Sequence, residues 1–212
     1  MTDIIFSVVI PVLNREFDIS ECIESLLNQN FPASKFEVIL VDNGSTDNTL
    51  KIIKKFPVKC VSEKKKGPAA ARNTGARYAR GAYLAFMDSD CTAEASWLSA
   101  FGRFVKEREV WLAGGVTIGY STDSALQRFL AVEEGPVKIK YNLYRKNFIS
   151  SHNMIIKKDL FNEIGGFKEE FIAGEDLDIC WRAERKDKKI ELCSKAIIHH
   201  KYKKSINPNR IM

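Results

Sequence analysis

The sequence predicts an α/β protein with a central, mostly parallel sheet flanked by helices. Three observations lead there. Short apolar runs alternate with amphipathic or Ala-rich segments through the first half of the chain. The apolar runs are unbroken, as strands covered on both faces are, rather than alternating. Polar turn residues stand just past the ends of several runs, and ligands on open parallel sheets bind at the carboxyl ends of the strands.

The elements follow in order. Phe6–Ile10 is a β-branched run that Pro11 should stop. From Asp18 to Leu27, Ile19, Cys22, Ile23, Leu26 and Leu27 recur at helical spacing. Phe36–Val41 is a second buried strand, Asp42-Asn43-Gly44-Ser45 is turn chemistry, and Thr46–Lys55 reads as a helix. Val58–Val61 is a third strand and Pro68–Arg80 an Ala-rich helix. Ala82–Met87, aromatic-rich after Gly81, is the next strand. The second half is less regular. It reads as a helix over Glu94–Lys106, extended chain over Trp111–Ile118 and a helix over Ser124–Glu134. A strand at Asn153–Ile156, a helix over Lys158–Ile164, a Gly165-Gly166-Phe167 turn, a helix over Asp176–Arg185 and a short strand over Lys195–His199 follow. No linker interrupts the pattern, so one domain over residues 1–212 is expected.

Composition narrows the class. A chain of 212 residues with 45% hydrophobic and 28% charged residues fits a globular protein with a sizeable core. The net charge of +6 suits phosphorylated or otherwise anionic ligands. No basic motif interleaved with aromatics matches a nucleic-acid module. The five cysteines are scattered without a C-x-x-C, which argues against a disulfide framework or zinc site and for a reducing compartment. The N-terminus lacks a signal peptide's basic and apolar regions, and no run approaches a membrane span. A cytoplasmic location is expected, with peripheral contact at the inner membrane face. The mixed Lys138, Lys140, Tyr141, Tyr144, Arg145, Lys146 and Phe148 cluster would supply that contact.

The most chemically pointed feature is Asp88-Ser89-Asp90 at the end of the Ala82–Met87 run. Two carboxylates at i and i+2 beyond a strand end can meet one hard divalent cation that shares its oxygens with a substrate's phosphates. A loop rich in Asp and Ser has the same composition for ordinary reasons. The rest of the chain decides between these readings.

Val9–Asn14, Val41–Asp47, Gly67–Asn73 with Gly75, Met87–Asp90, Gly165–Phe167, Gly174–Asp176 and His199-His200 occur in this order. Each is weak alone; the ordered set, spanning Ser7 to His200, resembles the family 2 glycosyltransferases of GT-A fold. The resemblance implies a nucleotide-binding half to about residue 110, an acceptor-binding half beyond it, and roles for single residues. Pro11, Val12 and Asn14 belong to the nucleotide site, with Pro11 and Val12 lining the base pocket. Asp42 accepts a hydrogen bond from the base, and Arg72 sits near the base or diphosphate. Asp88 faces the ribose or the metal, and Asp90 ligates Mn²⁺ or Mg²⁺. Asp176 matches the catalytic base, and Glu175 is counted with it as a catalytic residue. His199 completes the metal shell in preference to His200, since adjacent strand residues face opposite ways.

Taken alone, Glu175-Asp176 is also what a helix N-terminus favours. Asp178 and Arg182 read as an exposed i, i+4 ion pair, and His152 as structural. Lys201, Lys203 and Lys204 either screen a diphosphate or form a solvated tail. The implied reaction is a metal-dependent, inverting, non-processive transfer from a nucleoside-diphosphate sugar, foremost a UDP-sugar, to a glycan or lipid-linked acceptor. Neither the Q-x-x-R-W motif nor the membrane helices of processive synthases are present. Two alternatives stand beside it: a degenerate nucleotide-sugar-binding domain, which intact Asp88, Asp90 and Asp176 disfavour, and a nucleotidyltransferase. The latter should show a Gly-rich, basic phosphate loop after the first strand, and Pro11–Asn14 is not one.

Overall fold

A computed structural model describes residues 4–119, 148–171 and 173–201. Eight strands form one sheet in the order β3-β2-β1-β4-β7-β6-β8-β5. They are β1 (Phe6–Val12), β2 (Phe36–Asp42), β3 (Lys59–Ser62), β4 (Tyr83–Met87), β5 (Cys91–Ala93), β6 (Leu112–Gly119), β7 (Asn153–Lys157) and β8 (Ile190–His200). The helices are α1 (Ile19–Leu27), α2 (Thr49–Ile53), α3 (Pro68–Tyr78), α4 (Trp97–Glu107), α5 (Lys158–Glu163) and α6 (Glu175–Glu184). The first four strands pair in parallel. β7 is antiparallel to both β4 and β6, β8 runs parallel to β6, and β5 closes the far edge antiparallel to β8. The two expected halves thus share one sheet, and β5, from the first half, lies beyond the strands of the second.

The unbroken apolar strands divide their side chains between two cores, as the pleat requires. Phe6, Val8, Ile10, Ala85, Met87 and Ile198 pack with α1 and α4 on one face. Val9, Ile39, Val41, Leu84, Phe86 and Met154 pack with α3, α5 and α6 on the other. α3 lies so close to the sheet that a Cβ on Gly75 would stand 2.3 Å from Val9 Cγ1. That approach explains an Ala- and Gly-rich helix.

Several expected boundaries move, for physical reasons. β1 runs through Pro11 to Val12. Val12 O accepts from Asn43 N, so Pro11 faces β4, where the ladder has already ended at Val9, and its missing N–H costs no bond. α2 is shorter than the expected Thr46–Lys55 because its preceding backbone is occupied: Thr46 N donates to Asn14 Oδ1, Asn48 N to Glu16 and Thr49 N to Asp47 Oδ1. β8 starts at Ile190 rather than Lys195; consecutive exposed Ser194 and Lys195 break its alternation where the register against β6 shifts. β5 was not anticipated; three residues are too few to show a period. Asp178 and Arg182 are not an exposed pair. Arg182 also donates to the carbonyls of Ile164 and Gly166, and so fastens the glycine turn to α6. The expected Ser124–Glu134 helix, the cluster from Lys138 to Lys146, and Lys203 and Lys204 lie outside the described residues. No helix among the described residues is long and apolar enough to cross a membrane.

Asn153 ties β7 to its neighbours. It is 2% exposed. Its Oδ1 accepts from Trp97 Nε1 at 2.9 Å, and its Nδ2 donates to Val116 O at 3.0 Å and Ala196 O at 3.3 Å. Asn153→Ala strands these buried groups and should cost about 2 kcal/mol. Chemical denaturation with fluorescence detection would measure it, and a loss below about 0.5 kcal/mol would reject the accounting.

Candidate active site

Strand directions bring the motifs to one edge of the sheet. The carboxyl ends of β1, β2, β4, β6 and β8 meet there with the amino ends of β5 and β7. Val12, Asp42, Asp88, Asp90, Ser151 and His200 all stand at that edge.

Arg72 is the most deeply placed charge. It is 3% exposed, and its guanidinium donates to Asp88 Oδ1 at 2.7 Å and Glu175 Oε1 at 2.9 Å. One face packs on the Phe167 ring, 5.6 Å from its centroid. A planar fork can hold two carboxylates at once. Arg72 thereby joins α3, the end of β4 and the start of α6. Burial alone would push the Asp88 carboxyl up; the Arg72 charge, with His152, the Arg72 hydrogen bond and His200, outweighs it and holds Asp88 below the ordinary carboxylate range. The side chain of Asp88 keeps 30% of its exposure.

The acidic pair on α6 separates. Glu175 is 8% exposed and spent on Arg72. Glu175, expected as a catalytic residue, is instead engaged as a counter-charge to Arg72, as a buried carboxylate requires. Asp176 is only partly buried. Its Oδ2 accepts from Ser151 N at 3.4 Å and its Oδ1 from Leu177 N at 2.9 Å. The Ser151 contact sets Asp176 at the amino end of β7, on the same edge as the Asp88–Asp90 link.

At the first two strand ends the chain is knitted tightly. The Asp42 carboxylate is 4% exposed and accepts from Gly44 N and Ser45 N, each at 3.2 Å. A carboxylate has about four acceptor sites, so this turn role leaves capacity for a ligand. Pro11 is partly buried and Val12 buried. Asn14 is exposed in the left-handed region (φ 51°), exchanging bonds with Ser45 Oγ and Thr46 N. Asn43, unremarked in the sequence beyond its turn, holds the loop before α3 through Glu63 O, Lys65 O and Gly67 N.

The histidines reverse expectation. His199 Nε2 stands 3.3 Å from Glu94 Oε1, whereas His200 Nε2 is 3.5 Å from Asp90 Oδ1. Adjacent strand residues do face opposite ways, but it is His200 and not His199 that turns toward Asp90. His200 is paired with Cys91 across the β5–β8 ladder and shares the side of buried Ile198. The signal lay in the apolar parity of Ala196 and Ile198, which β5 makes readable. His152 is held at both nitrogens, 2.7 Å from Ser150 Oγ and 3.0 Å from Thr117 Oγ1, with its ring 5.5 Å from that of His200.

Asp90, Cys91 and His200 bring ligand atoms within 4.8 Å of one another. Burial first, then the Asp88 and Asp90 carboxylates, push the Cys91 thiol well up, and its soft sulfur is in any case a poor match for a hard cation that prefers oxygen ligands. Carboxylate oxygen and imidazole nitrogen together suit Mn²⁺ and its neighbours. The donor set therefore fits a divalent cation on Asp90 and His200, rather than on Asp90 and His199. One residue at this edge was missed altogether: Arg15, whose Nη2 is 2.7 Å from Asp90 Oδ2.

Residues 7–165 match the family model described as glycosyl transferase family 2. The chain belongs to that family. It is 32% identical over 185 residues to glycosyltransferase AglE of Haloferax volcanii, covering 84% of this chain and 60% of that one. It is 31% identical over 211 residues to an Escherichia coli protein, UDP-Glc:alpha-D-GlcNAc-diphosphoundecaprenol beta-1,3-glucosyltransferase WfgD, covering 97% and 79%. Among solved structures, TarS 1-349 of S. aureus in complex with UDP superposes with a TM-score of 0.74 at 25% identity, over 94% of this chain and 61% of that one. The family 2 fold is thus the GT-A fold that the motifs implied. The chain spans about 60% of the length of AglE, and less of some other relatives.

Proposed function

We propose that this family 2 chain transfers a sugar, with inversion and without processivity, from a nucleoside-diphosphate sugar to an acceptor hydroxyl. The carrying observation is the meeting of Asp42, Asp88, Asp90 and Asp176 at one sheet edge, with Asp176 brought there by Ser151 N. UDP in the TarS complex and UDP-Glc in the name of WfgD favour a UDP-sugar donor. The diphosphoundecaprenol in the name of WfgD favours a lipid-linked acceptor, met at the inner face of a membrane by basic and aromatic residues of the Lys138–Phe148 region.

Asp42, Pro11 and Val12 seat the base, with Asn14 closing the loop beside it, and Asp88 meets the ribose. Asp176 accepts the proton of the acceptor hydroxyl as that oxygen bonds to the anomeric carbon and the bond to the diphosphate breaks. A positioned carboxylate is among the side chains that serve as general bases toward a hydroxyl. Asp90 and His200 would hold Mn²⁺ or Mg²⁺, which would supply positive charge to stabilise a diphosphate leaving group.

Calorimetry with UDP tests the reading. Affinity should rise with Mn²⁺ and fall at least ~10-fold in Asp90→Ala. Tight UDP binding indifferent to EDTA would remove Asp90 as a ligand. The histidines give a sharper contrast. His200→Ala should lose most of the Mn²⁺ enhancement, on the order of 10-fold, while His199→Ala keeps it. The opposite pattern would restore His199.

A further inference from the structure

Arg15 lies on the loop between β1 and α1, one residue beyond the motif that ends at Asn14. The loop is fixed. Arg15 N donates to Thr49 Oγ1 at 2.7 Å, and Arg15 O accepts from Asp18 N and Ile19 N at the entry to α1. The side chain crosses from there to Asp90, placing Nη2 2.7 Å from Oδ2. Both side chains are largely enclosed, at 20% and 14% exposure, so solvent screens the pair less than a surface ion pair. Nη1 is buried and makes no hydrogen bond among the described residues; its neighbour is Asp18 Oδ2 at 3.7 Å. The two oxygens of Asp90 are thus divided: Oδ2 to a guanidinium, Oδ1 toward His200.

We propose that Arg15 is a built-in counter-cation for Asp90 that makes divalent-cation binding depend on the nucleoside diphosphate. The inference rests on the proposed cation site. With no ligand present, the guanidinium neutralises Asp90 and repels a second positive charge a few ångströms away. A nucleoside diphosphate brings negative charge of its own. That charge would offset the repulsion and let Asp90 and His200 retain the cation. Such coupling is reciprocal: whatever factor the nucleotide adds to cation affinity, the cation adds to nucleotide affinity. Arg15 acts through Asp90 and is a positioning residue.

The experiment measures Mn²⁺ affinity by electron paramagnetic resonance of the free ion, with and without UDP, in wild type, Arg15→Gln and Arg15→Lys. Wild type should bind Mn²⁺ weakly alone and about 10-fold or more tighter with UDP, within the usual range of such couplings. Arg15→Gln should bind Mn²⁺ alone several-fold more tightly than wild type, and UDP should add much less. Arg15→Lys, which keeps the charge, should resemble wild type. A residue that merely props the loop would give the reverse, since its loss would loosen the site and weaken Mn²⁺. Unchanged or weaker Mn²⁺ binding in Arg15→Gln, with the UDP effect intact, overturns the role of Arg15 and spares the cation site. Absence of Mn²⁺ binding by wild type with UDP overturns both. Should Arg15→Gln fail to fold, Arg15→Met is read by the same criteria. Should neither fold, a loss of coupling in Arg15→Lys overturns the proposal, and its retention supports the charge as the cause.

Discussion

Asp176→Asn should lower turnover by ~10²–10⁴-fold while leaving donor affinity and melting temperature nearly unchanged. The substitution keeps the shape of the side chain. One amide oxygen can still accept from Leu177 N or Ser151 N, the bonds that Asp176 makes now. It removes the group proposed to take the acceptor's proton. A helix-start role predicts a different result, since Asn serves there nearly as well as Asp. The measurement compares transfer rate with UDP affinity in the purified variant. Transfer within a few-fold of wild type would end the assignment. Glu175 offers little as a substitute base because Arg72 already holds it.

Arg72→Met carries the second large expectation, and it concerns stability. Removing the guanidinium leaves Glu175 buried without its partner and Asp88 without the charge that offsets its burial. Breaking a buried pair by deleting one member costs about 3–5 kcal/mol, and the partial exposure of Asp88 argues for the lower end. For a chain of this size about 3 kcal/mol corresponds to a fall in melting temperature of roughly 6–12 °C. The pH dependence has a definite sign. The Asp88 carboxyl titrates lower in the folded protein than in the unfolded chain, despite burial, because of Arg72 and its neighbours. Its contribution is therefore present above the unfolded value and lost as pH falls through the depressed folded value. Arg72→Met should flatten that acid limb. An acid-unfolding curve parallel to wild type, or a shift below about 1 kcal/mol, would show that the bridge does not matter.

Much of the fold was legible because its strands are buried on both faces and written as continuous apolar runs. β1, β2 and β4 begin and end within one or two residues of the expected positions. What escaped was set by long-range pairing. β5 is a strand only because β8 lies beside it, and β8 is long only because a bulge lets it pass Ser194 and Lys195. At the site the residue types were readable and their partners were not. Sequence placed Arg72 near the ligand but did not show that two carboxylates hold it. It placed one histidine near Asp90 but not which, since a step of one residue turns a side chain to the other face. Arg15 has no local signal at all; only the path of the loop brings it to Asp90.

The link between β4 and β5 sets a limit on how this protein can vary. Met87 and Cys91 are four peptide units apart, a reach of roughly 14 Å at full extension. Yet β5 stands four places from β4 in the sheet, which in a flat sheet would be about 19 Å. The sheet must therefore curl until its last strand arches back toward its middle, and Asp88-Ser89-Asp90 is the drawstring that spans the gap. Its length is dictated by closure as much as by chemistry. Exchanging Ser89 for another small residue alters one side chain. Inserting a single residue there would slacken the arch and part the two aspartates, so natural variation at this point should run to substitutions and not to insertions.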